Sequence, residues 1–88
     1  MNELEKYREE LENITREMLA LLEKRLDLSK KVANYKHQHE MPIFQPEREK
    51  LLIEKLAEKG AYALEKEAFL QNLFALSKAV QKEEIEKK

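Results

Sequence analysis

The sequence predicts an all-α protein of three helices, with a very long first helix, that forms a homodimer. Three observations support this fold class. Only one Gly and two Pro occur among 88 residues, so few positions interrupt a helix. The chain is 42% hydrophobic and 40% charged, as amphipathic helices require. Apolar residues recur three and four positions apart through the first 35 residues, which is the spacing of one helix face. This length suffices for one small domain, so we assign residues 1–88 to a single domain.

The first helix is predicted from about residue 3 to about residue 38, because no Gly or Pro falls in this stretch. Its apolar seam has the a and d spacing of a heptad repeat and consists of Leu4, Tyr7, Leu11, Ile14, Met18, Leu21, Leu28, Val32 and Tyr35. Such a helix is a rod of about 54 Å. A compact chain of this size has a radius of gyration of only about 12 Å. We therefore expect a second chain to cover the seam, most simply in a two-fold dimer.

Two shorter helices are predicted after a connector. Pro42 disfavours helix for itself and for Met41, so residues 37–44 form the connector. Pro46 suits the first position of helix 2, which is expected to end at Gly60. Helix 2 is expected to bury Leu52, Ile53 and Leu56. A link over about residues 61–64 leads to helix 3, roughly Glu65 to Glu84, whose apolar face is Leu70, Leu73, Phe74, Leu76 and Val80.

Composition excludes several classes of function. The 17 basic and 18 acidic residues nearly cancel, so the chain lacks the basic excess of a nucleic-acid-binding protein. It contains no Cys, which excludes disulfides and thiol chemistry. The N-terminus is charged, and no apolar stretch is long enough to cross a bilayer, so we expect a cytoplasmic protein. His37 and His39 lie in the connector without a defined third ligand, and we expect no metal site.

Arg25 interrupts the apolar seam of helix 1. An unpaired buried guanidinium is costly, so Arg25 should meet an anion, either a carboxylate of the protein or a ligand. The pattern alone favours an internal carboxylate. Lys36 lies eleven residues further on, nearly a whole number of turns, so it shares a face with Arg25 at about 16 Å. Arg8 lies about 25 Å from Arg25 along the axis and points about 100° away. It is therefore suited to serve the same small ligand only from a partner chain.

Polar residues also fall on helices 2 and 3. Arg48 and Glu49 lie in the first turn of helix 2, whose positive end favours anions. Ser77 and Gln81 are four apart on the apolar face of helix 3. Each has a simpler explanation as helix-terminal charge or as an exposed strip, and Lys36 and Arg8 taken alone are typical solvated edge residues. No nucleophile elbow, glycine-rich phosphate loop or carboxylate pair is present, so covalent and acid–base catalysis are not indicated.

Taken in order, these segments resemble the all-helical (type II) chorismate mutase family. The matching segments span nearly the whole chain and are 7–11, 19–25, 32–36, 42–49 and 77–81. The resemblance implies an intertwined three-helix dimer that converts chorismate to prephenate by a Claisen rearrangement, in the shikimate pathway to phenylalanine and tyrosine, without a cofactor. Such an isomerase holds the flexible dianion in its reactive chair and stabilises charge on the breaking ether oxygen.

The resemblance also assigns roles at the carboxylates and at the ether oxygen. It implies that Arg25 and the partner subunit's Arg8 bind the substrate carboxylates. It implies that Lys36 and Gln81 donate hydrogen bonds to the ether oxygen, where negative charge grows in the transition state.

At the ring, the resemblance implies that Glu49, with backbone near Gln45, binds the hydroxyl group. Arg48 and Ser77 complete the carboxylate and ring contacts. Gln45 stands where the family often has Asp, a change of little effect if only its backbone contacts the substrate. The link between helices 2 and 3 is about four residues shorter than in some relatives, and this shortening aligns both Ser77 and Gln81 with the family pattern.

Two other functions remain open on the sequence alone. One is an isochorismate pyruvate-lyase, a close relative on the same scaffold. The other is a helical dimerisation module without enzymatic activity, in which Arg25 pairs with an internal carboxylate. The dimerisation module differs from both enzymes in that Arg25 pairs with a carboxylate of the protein and not with a ligand.

Overall fold

The computed structural model describes residues 2–87 and confirms the predicted all-α architecture. It has three helices, α1 (Glu3–Gln38), α2 (Pro46–Leu56) and α3 (Ala63–Glu86). No strand occurs within residues 2–87. The bounds of α1 are those predicted, and α3 begins two residues earlier and ends two residues later than expected. No helix in this part of the chain is long and apolar enough to cross a membrane.

Local signals fix both ends of α1. At the start, the side chain of Asn2 accepts a hydrogen bond from the backbone N–H of Glu5 at 2.9 Å, which is an N-cap. At the end, His39 closes the helix and Glu40 follows with a left-handed φ of 54°. The chain then turns back along α1, because the N–H of Met41 donates to the carbonyl of Lys36 at 2.8 Å.

Helix α2 starts at Pro46 as predicted, but it ends at Leu56 and not at Gly60. The reversal into α3 uses two left-handed residues, Gly60 with φ 82° and Tyr62 with φ 62°, so it is spread over six residues and needs no single glycine cap. The predicted burial of Leu56 is wrong: its side chain is 53% exposed, and Ala57 takes the buried position. Leu52 and Ile53 are partly buried.

Helices α1 and α3 run parallel to each other, and α2, which connects them, runs antiparallel to both. Ser29 meets Ser77, and Lys36 meets Gln81, so residue numbers rise in the same direction along α1 and α3. Helix α2 runs the other way, since Glu49 pairs with Lys78 near the end of α3 while the C-terminal end of α2 lies beside its start. This arrangement places the first turn of α2 beside the C-terminal halves of both long helices.

The single chain is thin and leaves the seam of α1 uncovered. It measures 56 × 28 × 13 Å, with a radius of gyration of 16.4 Å where a compact chain would have about 12 Å. The smallest dimension is close to one helix diameter. The face of α1 beside the seam packs on α3 and buries Ser29, Ala33 and Lys36. The seam side chains remain 44–62% exposed: Leu4, Tyr7, Leu11, Ile14, Met18, Leu21, Leu28, Val32 and Tyr35.

Candidate active site

A cavity of about 320 Å³ lies between α1, the connector, the first turns of α2 and the second half of α3. This volume is in the range of small-ligand sites. Every site residue predicted from the sequence lines it, except Arg8. The lining consists of Arg25, Leu28, Ser29, Val32, Lys36, Ile43, Gln45, Arg48, Glu49, Leu52, Phe74, Ser77, Lys78 and Gln81.

Lys36 is held in place from two sides. It is only 9% exposed, and its ammonium group donates to the carbonyl of Ile43 at 2.9 Å and to the side-chain oxygen of Gln81 at 3.2 Å. Burial lowers the pKa of Lys36 below its usual 10.5, and the nearby carboxylate of Glu49 acts in the opposite direction. An ammonium group has three protons, so one remains for a ligand after these two hydrogen bonds.

A buried chain of hydrogen bonds continues from Gln81 towards α1. The amide nitrogen of Gln81 donates to the hydroxyl of Ser77 at 3.2 Å, and the hydroxyls of Ser77 and Ser29 lie 2.7 Å apart. Ser29 donates to the carbonyl of Arg25 at 3.0 Å, so Ser77 is the donor between the two serines. Because the Gln81 amide carries two protons, it too keeps one donor for a ligand. The network thus orients two donors, one from Lys36 and one from Gln81.

Arg25 has no anionic partner in the described chain. Its Nη1 atom is buried without a hydrogen-bond acceptor among residues 2–87. The ion pairs found in that range join Arg16 to Glu12 and Lys78 to Glu49, and neither involves Arg25. A buried donor without an acceptor costs about 1–3 kcal/mol. This geometry disfavours an internal carboxylate for Arg25 and favours an anion that enters the cavity.

The first turn of α2 brings Gln45, Arg48 and Glu49 to the opposite wall. The carbonyl of Gln45 accepts from the backbone N–H groups of Arg48 at 3.1 Å and of Glu49 at 3.2 Å. That carbonyl is therefore occupied, while the side chain of Gln45 makes no capping hydrogen bond. Arg48 is exposed at the rim of the cavity.

Sequence reasoning missed two residues of the site, Ser29 and Lys78. Lys78 lies 3.0 Å from the carboxylate of Glu49, and its ammonium group lies 4.3 Å from the centre of the Phe44 ring. Their spacing carried a signal: Ser29 precedes Lys36 by seven residues, and Lys78 precedes Gln81 by three, so each shares a helix face with a predicted site residue.

Arg8 lies outside this cavity. It is exposed on the N-terminal part of α1, where every residue from 2 to 20 is exposed. Because α1 is uninterrupted, Arg8 is about 25 Å along the axis from Arg25 of the same chain. It therefore cannot act on a small ligand that Arg25 of its own chain binds.

The two histidines lie apart from the cavity lining. The ring of His39 stacks on that of Tyr35, with centroids 4.0 Å apart, and its Nδ1 lies 2.9 Å from the Tyr35 carbonyl. No group of three His, Asp or Glu side chains suited to a metal ion occurs within residues 2–87.

The chain is similar in sequence to several known proteins. The 4-amino-4-deoxychorismate mutase of Streptomyces venezuelae is 36% identical over 73 residues, which are 83% of this chain and 71% of that protein. The T-protein of Haemophilus influenzae is 45% identical over 49 residues, or 56% of this chain. The bifunctional chorismate mutase/prephenate dehydratase of Aquifex aeolicus is 39% identical over 56 residues, or 64% of this chain.

The coverage of these relatives differs widely. The matched region is only 13% of the T-protein and 16% of the bifunctional protein. No solved structure is significantly similar to the chain. The family model described as chorismate mutase type II matches residues 7–82, which include all the predicted site residues. The chain therefore belongs to the type II chorismate mutase family, whose name denotes an isomerase.

Proposed function

We propose that this chain is a chorismate mutase, an isomerase that rearranges chorismate to prephenate in phenylalanine and tyrosine biosynthesis, with residues 1–88 as one domain. The observation that carries the proposal is the buried, unpartnered guanidinium nitrogen of Arg25 in a cavity that Lys36 also lines. Chorismate carries two carboxylates. The lining contributes four cationic side chains against the single carboxylate of Glu49, so its field attracts a dianion.

The free donors of Lys36 and Gln81 fit the chemistry of the rearrangement. In this reaction the ether C–O bond breaks as a C–C bond forms, and no proton is transferred. The protein must therefore hold the flexible substrate in its reactive chair and stabilise the negative charge that grows on the ether oxygen. We assign that stabilisation to Lys36 and Gln81, whose positions are fixed by Ile43 and by the serine network. Arg25 binds a substrate carboxylate.

The wall formed by α2 suits the other end of the substrate. We assign the ring hydroxyl to Glu49, as an acceptor, with the backbone near Gln45. Arg48 at the rim and Ser77 in the buried network complete the carboxylate and ring contacts. Two apolar side chains, Leu28 and Val32, line the same cavity and reduce the access of water, which strengthens these electrostatic interactions.

We further propose that the active protein is a homodimer in which the seams of two α1 helices cover each other. Fully burying an apolar side chain of this size contributes about 1.5–3 kcal/mol, and nine such side chains are roughly half exposed in each chain. In an antiparallel crossing centred midway between Arg8 and Arg25, at about position 16, Arg8 of the partner subunit lies opposite Arg25. Each cavity then gains a second arginine for the second carboxylate.

Two enzymatic alternatives concern the substrate. The name of the Streptomyces relative makes 4-amino-4-deoxychorismate the second candidate substrate. An isochorismate pyruvate-lyase on the same scaffold is the third. The non-enzymatic module requires an internal partner for Arg25, and the orphaned Nη1 atom argues against it.

The test is to incubate the purified protein separately with chorismate, isochorismate and 4-amino-4-deoxychorismate. We expect the largest kcat/KM with chorismate, with prephenate detected as phenylpyruvate after acid treatment. Pyruvate release from isochorismate as the dominant reaction would favour the lyase. A folded protein that accelerates none of these reactions over buffer would refute an enzymatic function. A bicyclic transition-state analogue should raise the melting temperature, whereas the dimerisation module predicts no change.

A further inference from the structure

Lys78 lines the cavity beside the wall that α2 forms. Its ammonium group lies 3.0 Å from Oε2 of Glu49 and 4.3 Å from the centre of the Phe44 ring. The side chains of Lys78 and Glu49 are only 33% and 24% exposed, so water screens this pair less than a fully exposed one. Contact with a ring face and with a carboxylate holds the lysine charge in one place.

Glu49 is the single carboxylate among the lining residues, and two lysines share it. It pairs directly with Lys78, and its charge also acts on Lys36, where it opposes the effect of burial on the pKa. A carboxylate in this position has lone pairs left to accept one more hydrogen bond. Its negative charge, however, is already balanced by a lysine at contact distance. Such a group accepts from a neutral hydroxyl and offers little net attraction to a further cation.

We propose that Lys78 is a specificity-determining residue: its ion pair with Glu49 makes the site select a substrate with a ring hydroxyl over one with a ring ammonium group. This inference rests on the proposed function, in which Glu49 faces the ring substituent. The 4-amino compound carries an amine in place of that hydroxyl, and the amine is protonated near neutral pH. Its positive charge would lie beside Lys78 and compete with it for one carboxylate, and like charges brought together at a binding site are unfavourable.

Removal of the lysine charge should reverse this preference. Without Lys78, the carboxylate of Glu49 is a free counter-ion for an ammonium group and still an acceptor for a hydroxyl. The turnover of the 4-amino compound should therefore rise relative to that of chorismate. Phe44 supports the lysine from the outer side, so its loss should have the same effect to a smaller degree.

The experiment measures kcat/KM for chorismate and for 4-amino-4-deoxychorismate in the wild-type protein and in Lys78→Gln, Lys78→Arg and Phe44→Leu. We expect Lys78→Gln to lower the ratio of the chorismate value to the 4-amino value by about tenfold, the scale of a single misplaced charge. Lys78→Arg retains the charge and should keep the ratio near that of the wild type. Lys82→Gln is the matched control, because it removes an exposed lysine from the next turn of α3, outside the cavity lining.

The outcomes separate this inference from the proposed function. A ratio that is unchanged in Lys78→Gln while both substrates are converted overturns the role of Lys78 and leaves the mutase assignment intact. The same fall in Lys82→Gln also overturns it, since the effect would then follow net charge. If the wild type converts neither substrate, the proposed function and this inference fail together. Should Lys78→Gln not fold, the Phe44→Leu ratio decides, with no shift counting against the proposal.

Discussion

Replacement of Arg25 with Met should stabilise the unliganded protein while abolishing its activity. The Nη1 atom of Arg25 is buried without an acceptor, and an unsatisfied buried donor costs about 1–3 kcal/mol. Met is apolar and unbranched, so it continues the seam between Leu21 and Leu28 without that penalty. We expect the free energy of unfolding to rise by about 1 kcal/mol or more, and chorismate turnover to fall at least about 100-fold.

An internal salt bridge predicts the opposite sign. Loss of one partner of a buried ion pair would lower the free energy of unfolding by about 3–5 kcal/mol. Urea denaturation of the ligand-free protein distinguishes an unpartnered Arg25 from one in a salt bridge. Protein concentration must be fixed, because the stability of a dimer depends on concentration. Arg16→Met is the matched control: its ion pair with Glu12 at 3.1 Å is exposed and should contribute no more than about 0.5 kcal/mol.

Destabilisation of Arg25→Met by about 2 kcal/mol or more relative to Arg16→Met would contradict an unpartnered Arg25. In that case Arg25 has an anionic partner in the dimer, and its guanidinium is not free to bind a substrate carboxylate. A transition-state analogue supplies a second readout. It should raise the melting temperature of the wild type and have little effect on Arg25→Met.

The geometry also predicts the effects of two further substitutions and of pH. Lys36→Ala should lower kcat by about 100- to 1,000-fold without loss of helicity, since it removes a charged donor to the ether oxygen; near-normal kcat would refute its role. Because burial lowers the pKa of Lys36, kcat/KM should fall with rising pH at a midpoint below 10.5, and a midpoint at or above that value would count against a required ammonium group. The unfolded chain binds this proton more tightly than the folded chain, so unliganded stability should rise with pH across the same interval. Ile14→Asp should abolish the dimer in sedimentation velocity by placing charges where the seams meet, and a fully active dimer would contradict this interface.

Helix bounds could be predicted from the sequence where several local signals agree. The absence of breakers before Pro42, together with the heptad seam, gave α1 its correct bounds. The end of α2 was predicted wrongly at Gly60, because a glycine is a strong local signal for helix termination. The helix instead ends just before Ala57, a small, fully buried residue that fits where α2 meets the rest of the chain. Such a fit is a tertiary property and has no local signature.

The site was predictable to the extent that its residues break a pattern. Arg25 interrupts an apolar seam and Lys36 follows on the same face, so spacing singled out both positions, while their roles came only from the family resemblance. Lys78 shares a helix face with Gln81, but this spacing does not show that Lys78 pairs with a carboxylate. Its partnership with Glu49 arises only when α2 folds back against α3. Ser29 likewise shares a face with Lys36, but its burial depends on contact with Ser77, which the sequence does not show.

We propose that an arginine from a second chain completes the chorismate site, and a mixing experiment tests this arrangement. Arg8→Ala and Arg25→Ala chains are each expected to be nearly inactive. When the two are unfolded together in equal amounts and refolded, half of the dimers are mixed, and each mixed dimer has one intact site. Chorismate turnover should recover to about one quarter of the wild-type value. If the mixture remains as inactive as its components, while refolded wild-type protein is active, then Arg8 does not act across the dimer and the shared site is wrong.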